Sequence, residues 1–106
     1  MNIILQCEVQ YTQILKRYFN TYFQNITYIQ YNNHLVNAIF IKQIRSIQDI
    51  KEMETLSFYH LDFIFLIENG EYMFELLEYN PLTFVRLSHI EKDIIHLIEI
   101  LQYKER

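Results

Sequence analysis

The chain has almost no glycine, proline or cysteine. Its 106 residues contain one of each: Gly70, Pro81 and Cys7. A single glycine excludes a Gly-rich phosphate cradle, which needs several backbone positions free of side chains. Tight turns must also be few. A lone cysteine cannot form an internal disulfide, which fits a reducing compartment. Positive charge is scarce as well: nine Lys and Arg against thirteen Asp and Glu give a net charge of −4. That is the wrong balance for a nucleic-acid surface, which needs clustered Lys and Arg. No basic segment followed by an apolar run opens the chain, so it carries no signal-peptide pattern. The longest apolar runs, such as Phe63 to Ile67, are too short to span a bilayer. The expectation is one soluble, cytoplasmic domain with no membrane contact.

What the chain does have is apolar and aromatic. Hydrophobic residues make up 51%, among them nine Tyr and eight Phe, so the core should be rich in rings. This length supports a single core without metal or disulfide staples. Val9 to Phe23 reads as a helix, because Ile14-Leu15, Tyr18-Phe19 and Tyr22-Phe23 recur every four residues on one stripe. Asn25 to Tyr31 is β-branched and aromatic, hence strand-like. Asn32-Asn33 is a turn signal, and Leu35 to Lys42 a second buried strand. Ser46 can cap a helix through Ile47, Ile50, Met53 and Leu56. Asp62 to Ile67 reads as a fully buried strand. Glu71 to Tyr79 reads as a short helix burying Met73, Leu76 and Leu77, stopped by Pro81. Leu82 to Arg86 is a last strand. Ser88 with Glu91 forms a capping-box pattern opening a helix that buries Ile90, Ile94, Leu97, Ile98 and Leu101.

The order β α β β α β α β α predicts a three-layer α/β/α sandwich. Ligands in such folds sit beyond the C-terminal ends of the strands. Gln6, Cys7 and Glu8, then Lys42 and Gln43, then Glu68 and Asn69 lie at those ends and define the candidate pocket. The connection between Tyr31 and Leu35 has room only for a turn. Strands joined so closely must be antiparallel, so an Asn32-Asn33 hairpin and a mixed or rearranged sheet are expected there. Such a hairpin would send Lys42 to the opposite end of the sheet from Gln6, and its place is therefore open.

The second half carries a resemblance. Glu71-Tyr72, Phe74-Glu75, Glu78-Tyr79, Pro81 and then Phe84-Val85-Arg86-Leu87-Ser88 resemble the last third of receiver domains of LytTR-class response regulators. The opening agrees in register: a strand, two key positions, then Tyr11 and Ile14-Leu15. The resemblance covers about two-thirds of the chain and implies a flavodoxin-like receiver in which the second helix is missing. Active receivers hold Mg²⁺ on two acids after the first strand and phosphorylate an Asp after the third. Ser or Thr ends their fourth strand and Lys their fifth. Carried over by position, these roles fall on Gln6 and Cys7, Lys42, Ile67 and Leu87, and all five are replaced. Mg²⁺ requires an oxygen-rich shell with carboxylates, and phosphoryl transfer needs a nucleophile in line with that metal. The resemblance therefore implies a pseudo-receiver of a two-component system that works without phosphorylation, metal or cofactor and is not an enzyme. Its output would be transcription regulation through a homodimer or a regulatory protein partner, with no direct nucleic-acid binding by residues 1–106. A dimer would bring tethered DNA-binding domains into register. The alternative expectation is a small-ligand-binding domain using the altered pocket, lined by Gln6, Cys7 and Glu68.

Four further groups carry competing readings. Lys42 either pairs with Glu8 across the pocket or points into water. Cys7 is a reactive thiol or a small buried hydrophobe. His89, Asp93 and His96 share a helix face, which suits a Zn²⁺ ligand set or a solvated surface. Tyr72, Tyr79 and Phe84 form the expected interaction face, or else join the core. Glu71, Glu75 and Glu78 read as a solvated face.

Overall fold

The computed structural model describes residues 1–31, 37–55 and 61–104. In chain order they form β1 (Asn2–Gln6), α1 (Val9–Tyr22), β2 (Thr27–Tyr28), β3 (Ala38–Ile44), α2 (Ile47–Glu52), β4 (Leu61–Ile67), α3 (Met73–Leu77), β5 (Thr83–Arg86) and α4 (Ile90–Lys104). One 3-10 turn, Met53–Thr55, extends α2, and another, Leu87–His89, leads into α4. The five strands lie in the order β2-β1-β3-β4-β5 and every pairing is parallel. This is the doubly wound order of a flavodoxin-like sandwich.

Alternation along the strands builds the two interlayer cores. Ile3, Ile39, Ile41, Ile64, Leu66 and Val85 point to one side. There they meet Leu15 and Phe19 of α1 and Ile94, Leu97, Ile98 and Leu101 of α4. Ile4, Phe40, Ile44, Phe63, Phe65 and Ile67 point to the other side, toward Ile50, Met53 and Leu76 of the α2–α3 layer. The first core is mostly aliphatic and the second aromatic. In the second, Phe63 and Phe65 stack at 5.8 Å, Tyr79 meets both rings edge-on, and Phe84 lies 6.1 Å from Phe65. Buried on both faces, β3 and β4 show the continuous apolar runs that central parallel strands require. Among the described residues no helix is long and apolar enough to cross a membrane.

The parallel sheet corrects the expected hairpin and the mixed sheet that followed from it. Asn32-Asn33 lies outside the described residues, but the strands flanking it both run parallel to β1, which separates them. A short connection forces antiparallel geometry only on strands that are hydrogen-bonded neighbours. β2 is also only two residues long and pairs with Asn2 and Ile3 at the start of β1. The chain therefore has little strand length to retrace before β3 begins at Ala38.

Two helix expectations change as well. α4 starts at Ile90, two residues beyond the expected Ser88 cap, because the 3-10 turn takes up Ser88, whose Oγ lies 2.9 Å from His89 Nδ1. In α3, Leu76 is fully buried but Leu77 is half exposed. A five-residue helix turns only one narrow stripe inward, and Leu77 falls on its flank.

Candidate functional site

The strand order carries the chain from β1 to β2 in one direction and from β3 onward to β4 and β5 in the other. The reversal leaves a crevice beyond the C-terminal ends of β1 and β3, where open α/β sheets bind their ligands. In this protein the crevice has a volume of about 350 Å³ and is lined by Gln6, Cys7, Glu8, Lys42, Gln43, Arg45, Asp49 and Glu52.

Register explains how Lys42 arrives there. β3 is parallel and Lys42 pairs beside Gln6, so it stands at the pocket and not at the opposite edge. It is an interior position, since the strand runs on through Gln43 and Ile44. Alternation turns Lys42 toward α2 and Gln43 toward α1. Lys42 is only 5% exposed, which corrects the reading that it points into water. Its Nζ donates to Gln6 Oε1 at 3.0 Å and to Glu52 Oε2 at 3.1 Å. The expected Lys42–Glu8 pair is therefore replaced by Lys42–Glu52, because Glu8 lies on the other side of β3. There the Glu8 backbone N–H donates to Gln43 Oε1, Gln43 Nε2 donates back to Glu8 Oε1, and Arg45 approaches the same carboxylate at 3.5 Å. Asp49 accepts from the Arg45 and Ser46 backbone N–H groups at 2.7 and 3.2 Å, holding the first turn of α2. Every carboxylate of the crevice is thus already engaged by a cation or an N–H group.

This donor set does not suit Mg²⁺. Gln6 and Cys7 stand where carboxylates would be needed, and a buried ammonium sits between Gln6 and Glu52. Among the described residues no three His, Cys, Asp or Glu side chains are grouped to hold a metal ion. Cys7 is half-buried, with Sγ 3.2 Å from Thr12 Oγ1. Burial pushes its thiol pKa up, the Thr12 contact lowers it, and the Glu8 charge raises it again. A thiol held protonated is a poor nucleophile.

The other expected site residues lie elsewhere. Ile67, Glu68, Asn69 and Gly70 line a second cleft of about 310 Å³ at the ends of β4 and β5, together with Thr83, Phe84, Arg86 and His89. Glu68 therefore does not share the Gln6–Cys7 crevice. Leu87 packs partly buried against the α1–α4 core. The His89–Asp93–His96 face is not a ligand set. Asp93 is buried and takes Arg86 in a bidentate pair, with Nε to Oδ2 and Nη2 to Oδ1 both at 2.9 Å. The Arg86 backbone N–H adds a third bond at 2.8 Å. The Arg86 guanidinium holds the Asp93 carboxyl at a pKa of about 2, against the opposing effect of burial.

On the expected interaction face, Tyr72, Tyr79 and Phe84 are half-buried against the aromatic core. The outward side of α3 instead carries Phe74, 85% exposed, and Leu77, 50% exposed. Sequence reasoning missed Arg45, Asp49 and Glu52. The Ser46-x-x-Asp49 spacing could have revealed Asp49, but no local pattern tells that Glu52 reaches Lys42.

No family model, curated protein or solved structure matches this chain.

Proposed function

We propose that this domain is a receiver-like regulatory module of the LytTR-associated kind, whose output passes through protein contact and does not depend on phosphorylation. The carrying observation is the Lys42 ammonium, buried in the crevice and bonded to Gln6 and Glu52. In a phosphorylated relative the same place would need carboxylates, a metal and a nucleophile. A phosphoryl group entering here would face Glu8, Asp49 and Glu52 with only Lys42 and Arg45 to offset them. The doubly wound fold and the residues shared with receivers, Glu71-Tyr72 through Ser88, support the family reading. We place the domain in the cytoplasm, where its single thiol would stay reduced. The test is incubation with acetyl phosphate and Mg²⁺ followed by intact-mass measurement. No phosphoryl adduct is expected, and a stoichiometric acid-labile adduct would overturn the proposal.

A second reading rests on the size of the same crevice. About 350 Å³ lies within the range of small-molecule pockets, and Gln6, Cys7 and Lys42 would contact a polar ligand. A thermal-shift screen of polar metabolites separates the two, because a ligand that binds only the folded state raises Tm.

A further inference from the structure

The excess negative charge of this protein is not spread over its surface. Glu68, Glu71, Glu75 and Glu78 lie within a stretch, residues 68–85, that contains no Lys, Arg or His. These four account for the whole net charge of −4, and the rest of the chain balances nine acids against nine bases. All four are exposed, and none forms an ion pair with another described residue. In the crevice, by contrast, the carboxylates are held by Lys42, Arg45 and N–H groups.

The same segment presents the most exposed large apolar side chain among the described residues, Phe74, with Leu77 three positions on. That spacing puts the two side by side on one flank of α3. Glu71 lies just before α3, Glu75 within it and Glu78 just after it, so carboxylates flank the apolar ridge along the chain. Met73 and Leu76 on the inner side anchor the helix to the aromatic core, and the ridge therefore sits on a fixed base. A solvated aromatic ring contributes nothing to folding, whereas in an interface an aromatic anchor inside a charged rim is the usual carrier of affinity.

We infer that the outward face of α3 docks a basic segment of another protein, one carrying Lys or Arg beside apolar side chains. The charge pattern selects this occupant over a second copy of the chain. A two-fold contact sets each patch against its own image, so Phe74 could be covered only by bringing Glu71, Glu75 and Glu78 against the same three carboxylates. Like charges set together in an interface are strongly disfavoured. A basic segment covers the ring and neutralises its rim at once. This inference rests on the reading that the domain works by protein contact, and it names the chemistry of the partner.

The probe is a fluorescein-labelled 14-residue peptide of Lys and Leu at amphipathic helical spacing, with its Glu-for-Lys counterpart as control. Anisotropy titration against the whole chain should give saturable binding of the Lys peptide alone, weakening as salt rises. Amide shifts in ¹H–¹⁵N spectra should concentrate between Glu71 and Glu78. Phe74→Ser should weaken binding by about 30-fold, the effect of losing an interface hot spot, with its thermal melt unchanged because the ring is exposed. Glu71→Gln with Glu78→Gln should weaken binding and flatten the salt dependence, while Glu99→Gln on α4 should change neither. Equal affinity in Phe74→Ser, shifts spread over the whole surface, or no binding would overturn the inference. A dimer in sedimentation that Phe74→Ser dissolves would overturn it in favour of a second copy. The acetyl phosphate experiment reads the crevice alone, so an adduct there with intact peptide binding would sink the functional reading while leaving this face in place.

Discussion

Lys42 and Glu52 form a pair whose two halves should not be equally costly to remove. The Lys42 side chain is 6% exposed and that of Glu52 is 54% exposed. Replacing Lys42 by Met keeps the volume of the stem and removes the charge. Its partners then return to water: Glu52 is half in solvent and Gln6 is exposed. The lost charge-assisted bonds, about 1.5–3 kcal/mol, are offset by relief of the ammonium's desolvation, which is several kcal/mol for a buried ion. Lys42→Met should therefore lie within about 1 kcal/mol of the parent protein. Glu52→Gln acts the other way, leaving a buried ammonium with neutral partners only. Breaking a fully buried pair costs about 3–5 kcal/mol, and the exposure of Glu52 discounts this to about 2 kcal/mol. In a domain of this size that is roughly 8–16 °C in Tm. The double variant should match Lys42→Met, because without the ammonium Glu52 has nothing to neutralise. Urea titrations with a common slope would measure all three. Lys42→Met proving more destabilising than Glu52→Gln would refute the reasoning, since the ammonium would then be holding up the crevice and not merely tolerated within it.

Two other side chains give pH-dependent or chemical predictions. The carboxyl of Asp93 is depressed to about 2 when folded, against an ordinary value of 3.8, so between those values the unfolded chain binds more protons. Its stabilisation is complete above about pH 4 and fades as the pH falls through 2. Asp93→Asn should cost about 2 kcal/mol at pH 7 and remove that component of acid sensitivity, as urea titrations between pH 2 and 7 would record. Cys7, its pKa raised by burial and by Glu8, should react with a disulfide reagent at pH 8 more slowly than free glutathione. A faster reaction would mean that the thiol is activated and would reopen the question of redox chemistry in the crevice.

The order of elements was legible because each carries its own local signal. Leu15 and Phe19 fall on a helical stripe, Phe63 to Ile67 form an uninterrupted apolar run, and Ser46 precedes the turn that Asp49 closes. Neighbour relations carry no such signal. Nothing in Thr27-Tyr28 or Ala38–Ile44 says that β1 lies between them, and the hairpin expectation failed there. Lys42 was read as a strand end because a charge usually terminates a buried run. The strand continues beyond it because Glu52, supplied by a helix that starts five residues later, makes burial of the ammonium tolerable. Asp93 was misread as a solvated face for the same reason: its partner, Arg86, sits across a 3-10 turn that no periodicity reports.

The two charged regions of this molecule differ in a way that bears on how it can be switched. A ligand shifts a conformational balance only by as much as it binds one state better than the other. In the crevice Lys42, Arg45, Glu8 and Asp49 are already committed to Glu52, to one another or to backbone N–H groups. An incoming anion must first undo a contact before it gains one, and its net preference for any rearranged state is small. Among the described residues the carboxylates on and beside α3 have no counter-charge to give up, and Phe74 is almost fully exposed, so a contact made by a basic partner displaces no ion pair there. Met73 and Leu76 connect that face to the layer holding Phe65, Tyr79 and Phe84. On the proposed reading the direction of signalling is reversed from that of a phosphorylated switch. On that reading the event begins at the helix surface, and the ion pair of the crevice takes no part in it.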